Sequence, residues 1–126
     1  MRVEVSTGEL LDKYSILEIK SAKINDEEKR AKVRIEQDRI GSMVQPFLKI
    51  PAIKRVYDEL KKINVSIWEM NDKCIALESF DGRPIMNANN ARFIAKSKIN
   101  ELSGSYLSEV KSYELGHDLP FSLLDL

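Results

Sequence analysis

The sequence predicts an all-α fold, an up-and-down bundle of about four helices in which the last three are long. Three observations predict it. The apolar residues Ile53, Val56, Leu60, Ile63, Ile67, Met70, Cys74 and Leu77 recur at alternating steps of three and four, the seven-residue pattern that lays one stripe of a helix against other helices. Capping and breaking residues at Ser6, Asn25-Asp26, Pro51 and Asn89-Asn90 divide the chain into helix-length pieces. The β-branched, alternating run Arg2-Val3-Glu4-Val5 is too short to make a sheet by itself.

A chain of 126 residues is long enough for one domain with one core and too short for two. Residues 1–126 are therefore read as a single helical domain, with a short extended start at 1–6 and a non-helical, apolar and acidic tail at 116–126. Lys plus Arg and Asp plus Glu are 20 each, so the formal charge is zero; a duplex-binding surface carries a basic excess, and the balance speaks against nucleic acid. No apolar run reaches the roughly 18 residues of a membrane span, and the start Met-Arg-Val-Glu-Val has no signal-peptide apolar region, so a cytoplasmic protein is expected. The one cysteine, Cys74, lies on the apolar stripe and reads as a small buried hydrophobe in a reducing compartment.

The first helix is expected from about Thr7 to Ile24, with Ser6 as its cap and Glu9 completing a capping box. At about 100° per residue, Leu10, Tyr14, Leu17 and Ile24 share one stripe, while Asp12, Lys13, Lys20 and Lys23 share the opposite arc. Ile16 falls among those charges and Ile19 beside them. Glu18 falls inside the apolar arc. This helix is expected either to sit centrally in the bundle or to meet another chain with its second face. The second helix is expected from about Glu27 to Gln45, with Val33, Ile40, Val44 and Phe47 inward, a ladder of opposite charges (Glu28–Lys32, Lys32–Glu36, Arg34–Asp38) outward, and an end or kink at Pro46.

Pro51 suits the first position of the third helix, which runs on to about Phe80, a rod on the order of 40 Å long. Asn64 and Asn71 lie one heptad apart beside its stripe, where buried amides set register. Its other flank changes from Lys54 and Lys61 to Trp68 and Ile75, so the apolar face widens. Asp81-Gly82 reads as a turn, and Arg83-Pro84 keeps the chain out of helix. Asn89 or Asn90 caps a fourth helix at about Ala91 to Leu115, with Ala95, Ile99, Leu102, Tyr106, Val110 and Tyr113 as its stripe, Gly104-Ser105 in its middle and Gly116 ending it.

The run Val5-Ser6-Thr7-Gly8-Glu9-Leu10-Leu11-Asp12-Lys13-Tyr14-Ser15-Ile16-Leu17-Glu18-Ile19-Lys20 resembles the opening of a small uncharacterised family of bacterial and phage proteins, which begin Gly-Glu-Leu-Ile-Asp-Lys-x-x-Ile-Leu-Glu-Ile-Lys. Asn64 through Asp72, with Ile67-Trp68-Glu69, and Lys98 through Leu102, with Gly104-Ser105 and Glu109-Val110-Lys111-Ser112-Tyr113, look similar as well. Residues 81–88 depart from the family pattern, which has a longer Phe/Tyr-containing stretch before an Asn-Asp cap. The resemblance implies an all-helical protein with no assigned activity; its bacterial members often accompany surface-polysaccharide glycosyltransferases.

Glu18 is the polar residue of most interest, because a carboxylate among Leu11, Tyr14 and Leu17 is desolvated and needs a donor or a cation. A structural ion pair or a hydrogen bond to a tyrosine is the first reading, and a functional acid the second. Glu9, Asp12, Glu69 and Asp72 form two Glu-x-x-Asp pairs that would hold Mg²⁺ for pyrophosphate chemistry if their helices faced each other. Asp12 lies on a polar arc, however, and Glu69 and Asp72 point away from the stripe, so a solvated role is preferred. The single histidine, His117, leaves no His triad or cluster.

The leading expectation is a non-catalytic helical assembly or adaptor module, paired as a homodimer. Its candidate contacts are Ile16, Ile19, Trp68, Phe121, Leu123 and Leu124. A second expectation is a small metal-dependent enzyme or ligand binder using either Glu18 or the set Glu9, Asp12, Glu69 and Asp72. A third is an accessory factor recruited through its C-terminal peptide, although that tail has an alternative path back onto the wide face near Trp68.

Overall fold

Ser6 sets where the first helix begins. Its backbone is extended and its hydroxyl accepts the Glu9 amide at 3.1 Å, so α1 runs Thr7–Lys23. The computed structural model describes residues 4–77 and 82–105, with backbone alone over 73–77. Asp26 caps α2 (Glu27–Leu48) through the Lys29 amide at 3.0 Å, and Arg30 Nε ties the α1–α2 turn to the Ile24 carbonyl at 3.0 Å. α2 passes through Pro46 instead of ending before it. So close to the end of the helix, the missing amide forfeits one bond to the previous turn while the last turn still closes, with Lys49 N–H reaching the Gln45 carbonyl at 3.2 Å.

The third helix, α3 (Pro51–Leu77), is one unbroken helix over its described length, as the heptad pattern demands. The fourth differs most from expectation. α4 spans Gly82–Ser103, nine residues earlier than Ala91 at its start. Pro84 is its third residue, where an amide has no intrahelical acceptor to lose, so the proline permits the helix it was expected to forbid. Asn89 is within the helix, its side-chain amide donating to the Ile85 carbonyl at 3.1 Å, and does not cap it. Gly104 does not sit in mid-helix: its φ of 69° closes α4 in the left-handed conformation, with Ser105 N–H on the Asn100 carbonyl at 3.0 Å. Tyr106, Val110, Tyr113, Gly116 and the tail lie outside the described residues.

Among the described residues there are four helices and no strand. One core joins them: Leu11 and Leu17 from α1, Ile40 and Val44 from α2, Ile53, Val56, Tyr57 and Leu60 from α3, and Ala91, Ala95 and Ile99 from α4. Burying a leucine or isoleucine side chain of this kind contributes about 1.5–3 kcal/mol. α1 packs against all three other helices, the central position that was one of the two expectations for it. Ile19, expected at an interface between chains, is only 4% exposed within its own chain. Of the α4 stripe, Ala95 and Ile99 are buried, while Leu102 is exposed.

Candidate functional site

Because α1 is covered on three sides, polar residues that a helical wheel assigns to solvent end up against neighbouring helices. Asp12 is the clearest case. It was expected on a solvated arc, yet it is 3% exposed, enclosed between α1, α3 and α4. Arg92 grips it with a fork, Nε reaching Oδ1 at 2.8 Å and the second guanidinium nitrogen reaching Oδ2. Asn64 Nδ2 donates to Asp12 Oδ1 at 2.9 Å and to Ser15 Oγ at 2.8 Å, and the Ser15 hydroxyl donates to the Asp12 carbonyl at 2.7 Å. A buried carboxylate is tolerated on these terms, with a cation and matched hydrogen bonds.

The α1–α4 seam continues on either side. Lys96, itself buried, places Nζ 2.6 Å from Glu9 Oε1. Asn100 Oδ1 accepts the Gly8 amide at 2.7 Å, and Ser105 Oγ accepts the Thr7 amide at 3.3 Å. These are first-turn amides with no partner inside α1, so α4 and the residue after it act as a cap supplied from a distance. The helices approach so closely here that a Cβ on Gly8 would stand 2.4 Å from the Lys96 carbonyl oxygen. Arg92, Lys96 and Asn100, four apart on α4, thus meet Asp12, Glu9 and Gly8 in turn.

Glu18 faces α3. The Tyr57 hydroxyl donates to Oε1, and Lys61 Nζ lies 3.1 Å from Oε2. Both halves of the structural reading of this residue are therefore present, the tyrosine and the cation. Burial pushes the Tyr57 hydroxyl well above the usual tyrosine range, and the Glu18 hydrogen bond and charge push in the same direction. The Tyr14 ring lies 6.3 Å from that of Tyr57, tilted by 42°.

Glu69 and Asp72 are exposed on α3. Among the described residues no group of three or more His, Cys, Asp or Glu side chains is placed to hold a metal ion, so Glu9, Asp12, Glu69 and Asp72 are not brought together as a ligand set. Asn64 is buried as expected, but Asn71 is exposed, because cover along α3 thins beyond Asn64. Ile16 and Trp68 are half-buried. The Cys74 side chain, His117, Phe121, Leu123 and Leu124 lie outside the described residues. On α2, Glu36 pairs with Lys13 of α1 at 2.8 Å rather than with Lys32, and that hydrogen bond lowers the Glu36 pKa.

The outer side of α1 carries a groove of about 350 Å³. Val5, Leu10, Ile16 and Leu17 give it an apolar lining, and Glu9, Asp12, Lys13, Lys20 and Glu36 a polar one. Among the described residues no helix is long and apolar enough to cross a membrane.

Chemically, the seam holds. Both Asp12 oxygens are engaged, and Glu9 and Glu18 each face a lysine. Sequence reasoning missed Arg92, Lys96, Asn100 and Ser15. The signal for three of them was present: two cations and an amide at four-residue spacing on one helix, matching two acids three apart on another. A protein-family model described as a family of unknown function (DUF6165) matches residues 1–122. No curated protein and no solved structure matches the chain.

Proposed function

We propose, given that the chain belongs to a family of unknown function (DUF6165) that lends it no activity, that it is a non-catalytic helical assembly module that pairs with a second copy of itself. One observation carries this reading: the α1 acids that would perform chemistry, buried Asp12 and half-buried Glu9 and Glu18, are each held by a cation of the same chain. A general acid or metal ligand needs a free lone pair or a transferable proton facing a substrate; here the carboxylates are engaged by Arg92, Lys96 and Lys61 from the neighbouring helices.

Pairing is motivated by a ridge at the α2–α3 corner. Met43 near the end of α2 and Ile50 in the turn after it are 52% and 44% exposed, with Pro46 exposed between them. A bacterial or phage source, a cytoplasmic location and an adaptor role belong to the same proposal.

Light scattering on the full chain tests it, together with Mg²⁺ calorimetry. A dimer that Met43→Lys with Ile50→Lys converts to monomer, and no Mg²⁺ heat, is the expected pair of results. A wild-type monomer at every concentration overturns the pairing. Mg²⁺ heat that disappears in Asp12→Asn overturns the non-catalytic reading.

A further inference from the structure

α2 packs against α1 and α3, with Val33, Ile40, Val44 and Phe47 at the core, and the side turned away from them is not uniformly polar. At about 100° per residue, Ile35, Arg39, Met43 and Pro46 fall within an arc of about 80°, and all four are exposed, Ile35 by 56%. Ile50 extends this surface into the turn beyond α2. Ser42 borders it, and its hydroxyl donates to the Arg39 carbonyl at 3.4 Å, so a neighbour can cover it without leaving a donor unanswered. Asp38 and Lys49 lie along one edge of the arc. Both are exposed, and neither makes an ion pair within 4 Å among the described residues.

A helix that meets its own copy antiparallel does so about a two-fold axis, which sets each residue opposite the one equally far along on the other side of the axis. The midpoint between Ile35 and Ile50 falls between Ser42 and Met43. The midpoint between Asp38 and Lys49 falls between Met43 and Val44. One axis therefore serves both sets. It lays apolar residues on apolar residues along about 20 Å of helix, and it sets acid against base twice over. Residues on the same edge of two antiparallel helices face each other, and Asp38 and Lys49 share an edge as this requires. A parallel pair would bring like charges to the same level.

We infer that the exposed face of α2 is the surface through which two copies meet, antiparallel about an axis near Met43, with Ile35 of each against Ile50 of the other and Asp38 of each against Lys49 of the other. This rests on the pairing proposed above and adds to it the surface, its direction and its register. The stem of Arg39 lies over Pro46 of the second copy, and its guanidinium stays in water at the rim. Because each copy presents the same patch, the contact closes at two chains.

Charge exchange, read by sedimentation equilibrium of the full chain, tests it. Asp38→Lys alone and Lys49→Asp alone each turn both attractions into repulsions and should weaken pairing about tenfold. Both positions are exposed, so the fold tolerates either change. An equal mixture of the two variants should pair as tightly as wild type, since both charge contacts of the mixed dimer are again acid on base. Separately, Ser42→Cys in a Cys74→Ala background should oxidise to a disulfide-linked dimer, while Lys62→Cys, exposed on α3, should not. A dimer that neither single exchange weakens, a mixture no tighter than its components, or a disulfide dimer through Lys62→Cys and not through Ser42→Cys overturns this arrangement and leaves the pairing standing. A wild-type chain that is monomeric at every concentration overturns both.

Discussion

Gly8 and Gly41 are both helical glycines, and the structure gives their replacement by alanine opposite signs. A Cβ at Gly8 meets the Lys96 carbonyl oxygen at 2.4 Å and Asn100 Oδ1 at 3.0 Å. The first contact is backbone, so relief requires α1 and α4 to separate. Overpacking of this kind costs about 1–3 kcal/mol, and separation also strips the buried Gly8 amide of its acceptor, another 1–3 kcal/mol or so. The helix propensity of alanine returns about 1 kcal/mol.

Gly8→Ala should therefore destabilise the fold by about 3 kcal/mol net, which at roughly 4 °C per kcal/mol lowers the melting temperature by about 12 °C. At Gly41 the nearest atoms are Tyr14 Cε1 and Oη, both at 3.8 Å, an ordinary contact. Gly41→Ala should raise stability by about 0.5–1 kcal/mol. Thermal and urea unfolding measured by circular dichroism read both. A Gly8→Ala chain melting within about 2 °C of wild type, or a shift of the same sign at both positions, would refute the reasoning.

The same seam sets three further outcomes. Asp12→Ala should cost about 3 kcal/mol, since it leaves Arg92 and Asn64 facing a vacated site, and a double-mutant cycle with Arg92→Ala should show strong coupling in urea melts. Asn64→Ala should cost about 1–3 kcal/mol by removing two donated hydrogen bonds, whereas Asn71→Ala, one heptad away and exposed, should stay within about 0.5 kcal/mol in the same assay. Tyr57 has a raised pKa in the folded chain, so its contribution is fully present below the ordinary tyrosine value of 10.0 and is lost as pH climbs above it, where the unfolded chain ionises first. Urea midpoints measured from neutral pH to pH 11 should fall above pH 10, and Tyr57→Phe should flatten that fall.

The rod from Pro51 was legible because its stripe is one-sided. Ile53, Val56 and Leu60 are buried as their spacing requires, and a long period leaves little room for another reading. Asp12 was illegible for the opposite reason. A helical wheel presumes one wet face, and α1 has three packed neighbours, so its polar arc included residues that meet α4. Pro84 misled because proline's effect depends on its distance from a helix start, which the sequence marks only weakly after residues 78–81. Gly104 carried the right cue, a left-handed end, but the apolar recurrence that continues through Tyr106 and Val110 outweighed it. Glu18 was readable from its position alone, because a carboxylate set among apolar neighbours demands company whichever helix supplies it.

The bonds from Thr7 to Ser105 and from Gly8 to Asn100 span 98 and 92 positions of the chain. During synthesis the amino-terminal helix emerges first, with its Thr7 and Gly8 amides unanswered until nearly all of the described chain has left the ribosome. Contacts of that span close late and slowly. A chain released early would expose Leu11 and Leu17 beside an unsealed helix start, so arrested or shortened translation products should fall to proteolysis rather than accumulate as smaller folded pieces.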